Sequence, residues 1–101
     1  MSAARAAPKM ASHTLPFVGR SSKEPGRLCF WYGVRSTGDL EQDQKLGSQY
    51  AWLALRAIKA DNFTPLLGMI ACDMVRNRCP QDIAVGFWQT VSDVCMRVYE
   101  I

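Results

Sequence analysis

Cys79 is the residue best placed for nucleophilic chemistry. Arg76 and Arg78 flank it, and Pro80 opens a helical pattern directly after it. Neighbouring cations and a helix N-terminus both favour a thiolate and lower a thiol's pKa. Covalent catalysis also needs a base and an oxyanion site. The single histidine, His13, lies far off near the N-terminus, so no Cys–His pair is evident. The alternative is a link cysteine that merely packs. Cys29, Cys72 and Cys95 fall in apolar runs and read as buried packing residues. No two of the four cysteines are separated by just two residues, as zinc ribbons and thioredoxin-like motifs require. No metal and no cofactor is therefore expected. Asp39, Glu41 and Asp43 gather carboxylates, but at a helix start capping and the macrodipole account for them. No glycine-rich phosphate loop follows a strand, and Gly33 and Gly38 bracket a turn.

Trp52 carries the strongest signal for binding. On a helical wheel it falls opposite the apolar residues Leu46, Tyr50 and Leu53. Its wheel neighbours are Lys45, Gln49, Arg56 and Lys59, with Leu55 toward the same side. A rigid, large indole beside an arginine is how an interface anchor is often composed. The competing reading is that an N-terminal hairpin folds over this side and buries the ring. The aromatic group Phe30, Trp31 and Tyr32 is a second candidate, although such a group is more often core.

Nucleic-acid binding has two possible routes. The first is a helix-turn-helix formed by the second and third helical patterns. Its reading helix would begin Pro80, Gln81, Asp82 and would carry Asp93 and Glu100 against Arg97, a poor match for a polyanion. The second is the basic front end, with Arg20, Lys23, Arg27 and Arg35 as its contacts, weak and salt-sensitive. Residues 1–36 hold six basic residues against Glu24 alone, a net of +5, so the rest of the +3 chain sums to −2. A basic arm on a slightly acidic body suits an anionic surface, or is simply a solvated tail.

These residues need elements to hold them. Residues 1–26 read as a flexible basic arm and residues 27–101 as a helical domain. Within the arm, Thr14–Gly19 is a short apolar run broken by Pro16. It could pair as an edge strand with the aromatic run Arg27–Val34, a helical turn at 27–34 being the alternative. A first helix is expected from about Asp39 to Ala60, with Leu46, Tyr50, Leu53, Ala54, Ala57 and Ile58 on one face and Asp39 with Gln42 at capping-box spacing. A second follows from Thr64 as N-cap and Pro65 to about Asn77. It is apolar nearly all round, which predicts a central place, and Asp73 and Arg76 are spaced to pair. Pro80 opens the third, whose stripe runs Ile83, Ala84, Phe87, Trp88, Val91, Val94, Cys95, Val98 and Tyr99.

At 101 residues the chain has room for one domain with a thin core. An apolar fraction of 49% with 21% charged residues excludes wholesale disorder. No apolar run reaches the roughly 20 residues of a membrane span. The N-terminus lacks the continuous apolar segment of a secretory signal, so free thiols in the cytoplasm are expected. The Ala-, Ser- and base-rich first residues leave a mitochondrial matrix protein as the alternative. The expected fold is mainly α: a compact three-helix domain with an N-terminal basic arm and a short β-hairpin. The expected function is a small, non-enzymatic interaction or regulatory protein, such as an assembly subunit or a phage-type inhibitor. It would bind a larger partner, or itself, through Trp52, Leu55, Arg56, Lys45 and Lys59. A nucleic-acid accessory role through the arm is the alternative.

Overall fold

The computed structural model describes residues 14–20 and 28–99. Two short strands, β1 (Val18–Arg20) and β2 (Leu28–Phe30), precede three helices, α1 (Leu40–Asp61), α2 (Leu66–Arg76) and α3 (Gln81–Tyr99). The fold is mainly helical, as the periodicity predicts. The strands pair antiparallel with Val18 opposite Phe30 and Arg20 opposite Leu28. The body therefore reaches back into the front end: Leu15 and Phe17 are both buried.

β2 stops at Phe30 because the chain turns there. Trp31 sits in the left-handed region at φ 69° and Gly33 at φ 82°. That conformation costs a bulky residue about 1–2 kcal/mol. Complete burial of the Trp31 ring offsets it, since burying an aromatic side chain contributes roughly 2–3 kcal/mol. Its indole N–H also donates to the Ile70 carbonyl at 3.0 Å. Around it, Phe17 stacks at 4.4 Å and Phe87 meets it edge-on at 5.3 Å.

α1 begins where Asp39, in extended backbone, accepts the Glu41 N–H on its carboxylate at 3.1 Å. The N-terminal side-chain bond thus goes to Glu41 rather than to the expected Gln42. Asn62, left-handed at φ 50°, ends the helix and donates its N–H to the Ile58 carbonyl. α2 starts after Pro65 with no side-chain cap, so Thr64 does not take the role its type suggested.

Glycine decides the main helix contact. A β-carbon at Gly47 would fall on the Ile83 carbonyl oxygen, and one at Gly86 on the Gln44 carbonyl oxygen. Backbone therefore meets backbone, and α1 and α3 run in the same sense, Gln44 against Gly86 and Ser48 against Thr90. The Thr90 hydroxyl donates to the Ser48 hydroxyl at 2.7 Å and satisfies both polar groups there. The expected face of α1 packs inward except for Leu53, and this contact extends the buried surface to Asp43, Gly47 and Ala51. Asp43, Gly47, Ala51, Ala54 and Ala57 are buried, Leu46, Tyr50 and Ile58 are partly covered, and Leu53 is exposed.

Direct packing of α1 on α3 also displaces α2, which lies at the side against the hairpin rather than at the centre. Leu66 and Ile70 face the core, while Met69, Cys72 and Val75 face solvent, Val75 with 82% of its surface exposed. Asp73 does not pair with Arg76. It turns inward and accepts the Phe30 N–H at 3.0 Å, while the Asn77 amide donates to the Phe30 carbonyl at 2.8 Å. Two side chains of α2 and its cap thus supply to β2 the hydrogen bonds a third strand would have made.

On α3, Ile83 and Phe87 are buried and Trp88 and Val91 pack against the core. Cys95 is exposed, contrary to its expected place in the stripe, and so are Met96 and Arg97 that follow it. Val98 and Tyr99 have side chains outside the described residues. No helix among the described residues is long and apolar enough to cross a membrane.

Candidate functional site

The outer face of α1 carries the candidate site. Trp52 is 41% exposed, a large fraction for an indole in a chain with so thin a core. The hairpin does not cover it. Phe17 of the hairpin instead reaches Tyr50, at a ring separation of 5.0 Å, on the other side of the helix. Lys45, Gln49, Arg56 and Lys59 are exposed around the indole, and Leu55 is half-buried beside it. The sequence placed this group together, and the helix keeps it together.

The face is predominantly cationic, with Glu41 one turn before Lys45. Among the described residues, none of Lys45, Arg56 and Lys59 has an ion-pair or hydrogen-bond partner. The indole N–H of Trp52 likewise has no acceptor there. Those of Trp31 and Trp88 donate to the Ile70 carbonyl and to the Met74 sulfur. The exposed ring therefore retains both an apolar face and an unused donor.

Beside it lies a feature that sequence reasoning missed. Leu15 and Pro16 approach Leu53, Ala57 and Ala60 and leave a shallow open notch of about 250 Å³, with Arg56 as its charged lining residue. Leu53, expected in the core, is 37% exposed at this notch. The signal was present: Gly47, Ala51 and Ala54 form a small-residue stripe that marks a close helix contact and turns Leu53 outward.

The other candidates fare differently. Cys79 is half-buried, and burial pushes its thiol up to about 12. Its Sγ donates to the Pro80 carbonyl at 3.6 Å. The packing reading fits this placement: Arg76 and Arg78, which would favour a thiolate, are exposed, while burial of the sulfur works against one. Phe30 and Trp31 belong to the core, and Tyr32 is 54% exposed. Asp43 is engaged by the segment that leads into α1. The Ser36 hydroxyl, then the Thr37 N–H and hydroxyl, donate to it and hold its carboxyl below the ordinary value. Among the described residues no three His, Cys, Asp or Glu side chains converge as a metal site would need.

A second groove, of about 460 Å³, opens between α1 and α3. Glu41, Lys45, Gln89 and Asp93 line it, so its charge is mixed, and its floor hydroxyls on Ser48 and Thr90 are already bonded to each other. Of the basic residues proposed for nucleic acid, Arg35 is exposed. Lys23, Arg27 and the side chain of Arg20 lie outside the described residues. No family model matches the chain, and neither a curated protein nor a solved structure is significantly similar to it.

Proposed function

We propose that this chain is a non-enzymatic interaction protein that docks a larger macromolecular partner through the outer face of α1. The observation that carries the reading is the open Trp52 ring, set among Lys45, Arg56 and Lys59 with no partner for any of these cations among the described residues. An exposed indole beside a guanidinium offers a large rigid contact area at small entropic cost. The withdrawn Cys79 thiol weighs against the one nucleophile that the sequence offered. A small regulator, an assembly subunit and an inhibitor would all use such a face in the same way.

The test is affinity capture from the native host, comparing the unaltered chain with Trp52→Ala, Arg56→Glu and, as an unrelated exposed apolar site, Val75→Ala. Loss of a hot-spot tryptophan costs about 2 kcal/mol or more, which is roughly thirtyfold in affinity. A partner should therefore be retained by the unaltered chain and by Val75→Ala and lost from the other two, with helical circular dichroism intact in all four. Identical capture by Trp52→Ala and the unaltered chain would refute the reading.

A further inference from the structure

The notch beside Trp52 identifies the kind of partner the face accepts. We infer that it seats a single large apolar side chain of an acidic peptide segment, with a neighbouring carboxylate on Arg56; this rests on the docking face proposed above. The notch wall is mainly apolar, built by Leu15, Pro16, Leu53, Ala57 and Ala60, with Thr14 also lining it. Its volume of about 250 Å³ has room for one large side chain and not for an element of structure. Arg56 contributes both to this wall and to the cationic face, so one guanidinium borders the apolar seat and the indole.

Charge selects among the occupants. The chain's own residues 1–13 carry Arg5 and Lys9 and no acid, so they would bring positive charge to Lys45, Arg56 and Lys59. A second copy docked face to face would set the same three cations against themselves, which costs affinity rather than adding to it. An acidic segment satisfies the unpaired cations and, through its apolar residue, fills the notch. A guanidinium also pairs bidentately with a carboxylate, a geometry lysine cannot reproduce. A single-stranded nucleic acid would meet the cations and stack on Trp52, yet the notch, walled by leucine, proline and alanine, offers its bases no second ring to stack on.

The experiment selects a random 12-residue peptide library on the full-length chain and measures the enriched peptides by fluorescence anisotropy. Enriched sequences should carry Leu, Phe, Met or Trp with Asp or Glu within four positions. Binding should shift the Trp52 indole N–H signal in a nitrogen–proton correlation spectrum and leave the Trp31 signal, buried on Ile70, in place. Ala60→Phe, which fills the notch from an exposed position, and Arg56→Glu should each weaken binding at least about tenfold. Leu53→Asp serves as the second notch variant should Ala60→Phe lose its helical circular dichroism. No enrichment, enriched peptides without acids, or undiminished binding by the notch variants would each overturn the inference. So would a fifteen-residue oligothymidine binding more tightly than the peptides. Loss of binding in Trp52→Ala but not in the notch variants removes the notch and keeps the docking face. Indifference to all of these substitutions removes both.

Discussion

At Cys79 burial outweighs neighbouring charge. Cys79 has two arginines beside it in sequence, yet its sulfur is half-buried and its pKa is driven up to about 12. Cys72 and Cys95 are exposed. Iodoacetamide at pH 8 should therefore modify Cys72 and Cys95 first and reach Cys79 only in denaturant, with peptide mass spectrometry as the readout. Early labelling of Cys79 would contradict its placement. Asp43 shows the opposite balance. Burial raises its pKa, but the Ser36 hydroxyl and the Thr37 N–H and hydroxyl outweigh it, so the folded value lies below the ordinary 3.8. The unfolded chain then binds the proton more tightly than the folded one. The stabilisation is present above the unfolded pKa and is lost as pH falls through the lower folded one. Asp43→Asn should lose stability relative to the unaltered chain at pH 6, and the difference should shrink toward pH 2, as followed by urea denaturation. A pH-independent difference would show that the carboxylate charge is not what Ser36 and Thr37 recognise.

At the scale of elements, two glycines determine how the helices meet. Gly47 and Gly86 allow backbone contact between α1 and α3, and a methyl group at either would overlap a carbonyl oxygen that cannot rotate away. Gly47→Ala and Gly86→Ala should each destabilise by about 3 kcal/mol or more, although alanine is the better helix former by about 1 kcal/mol. Thermal denaturation of the two variants measures this directly. Gly68→Ala is the internal control, since a β-carbon there meets nothing within 4 Å, and it should stabilise. The hairpin is too short to stand alone. It is held by Phe17 and Trp31 in the core and by Asp73 and Asn77 of α2 and its cap on the Phe30 backbone.

For the whole molecule, direct α1–α3 contact leaves α2 at the side with an apolar outer surface. Val75 is 82% exposed, so Val75→Lys should change stability by no more than about 0.5 kcal/mol in a urea titration. A large loss would mean that α2 is central after all. The three helices, their approximate limits and the polar setting of Trp52 were legible in the sequence. Each is a property of one helix, set by the 3.6-residue repeat, by the proline preceding a helix start and by the capping residues at its ends. The inward side of α1 was largely legible too, through Leu46, Tyr50, Ala54, Ala57 and Ile58, but the exposure of Leu53 was not, because the close approach at Gly47 that draws Asp43 and Ala51 inward is made by a residue with no side chain. The fate of Leu53, Asp73, Cys79 and Cys95 followed from what each element found opposite it. A single helix specifies its own periodicity, but burial is a relation between two surfaces, and only the packed chain decides it.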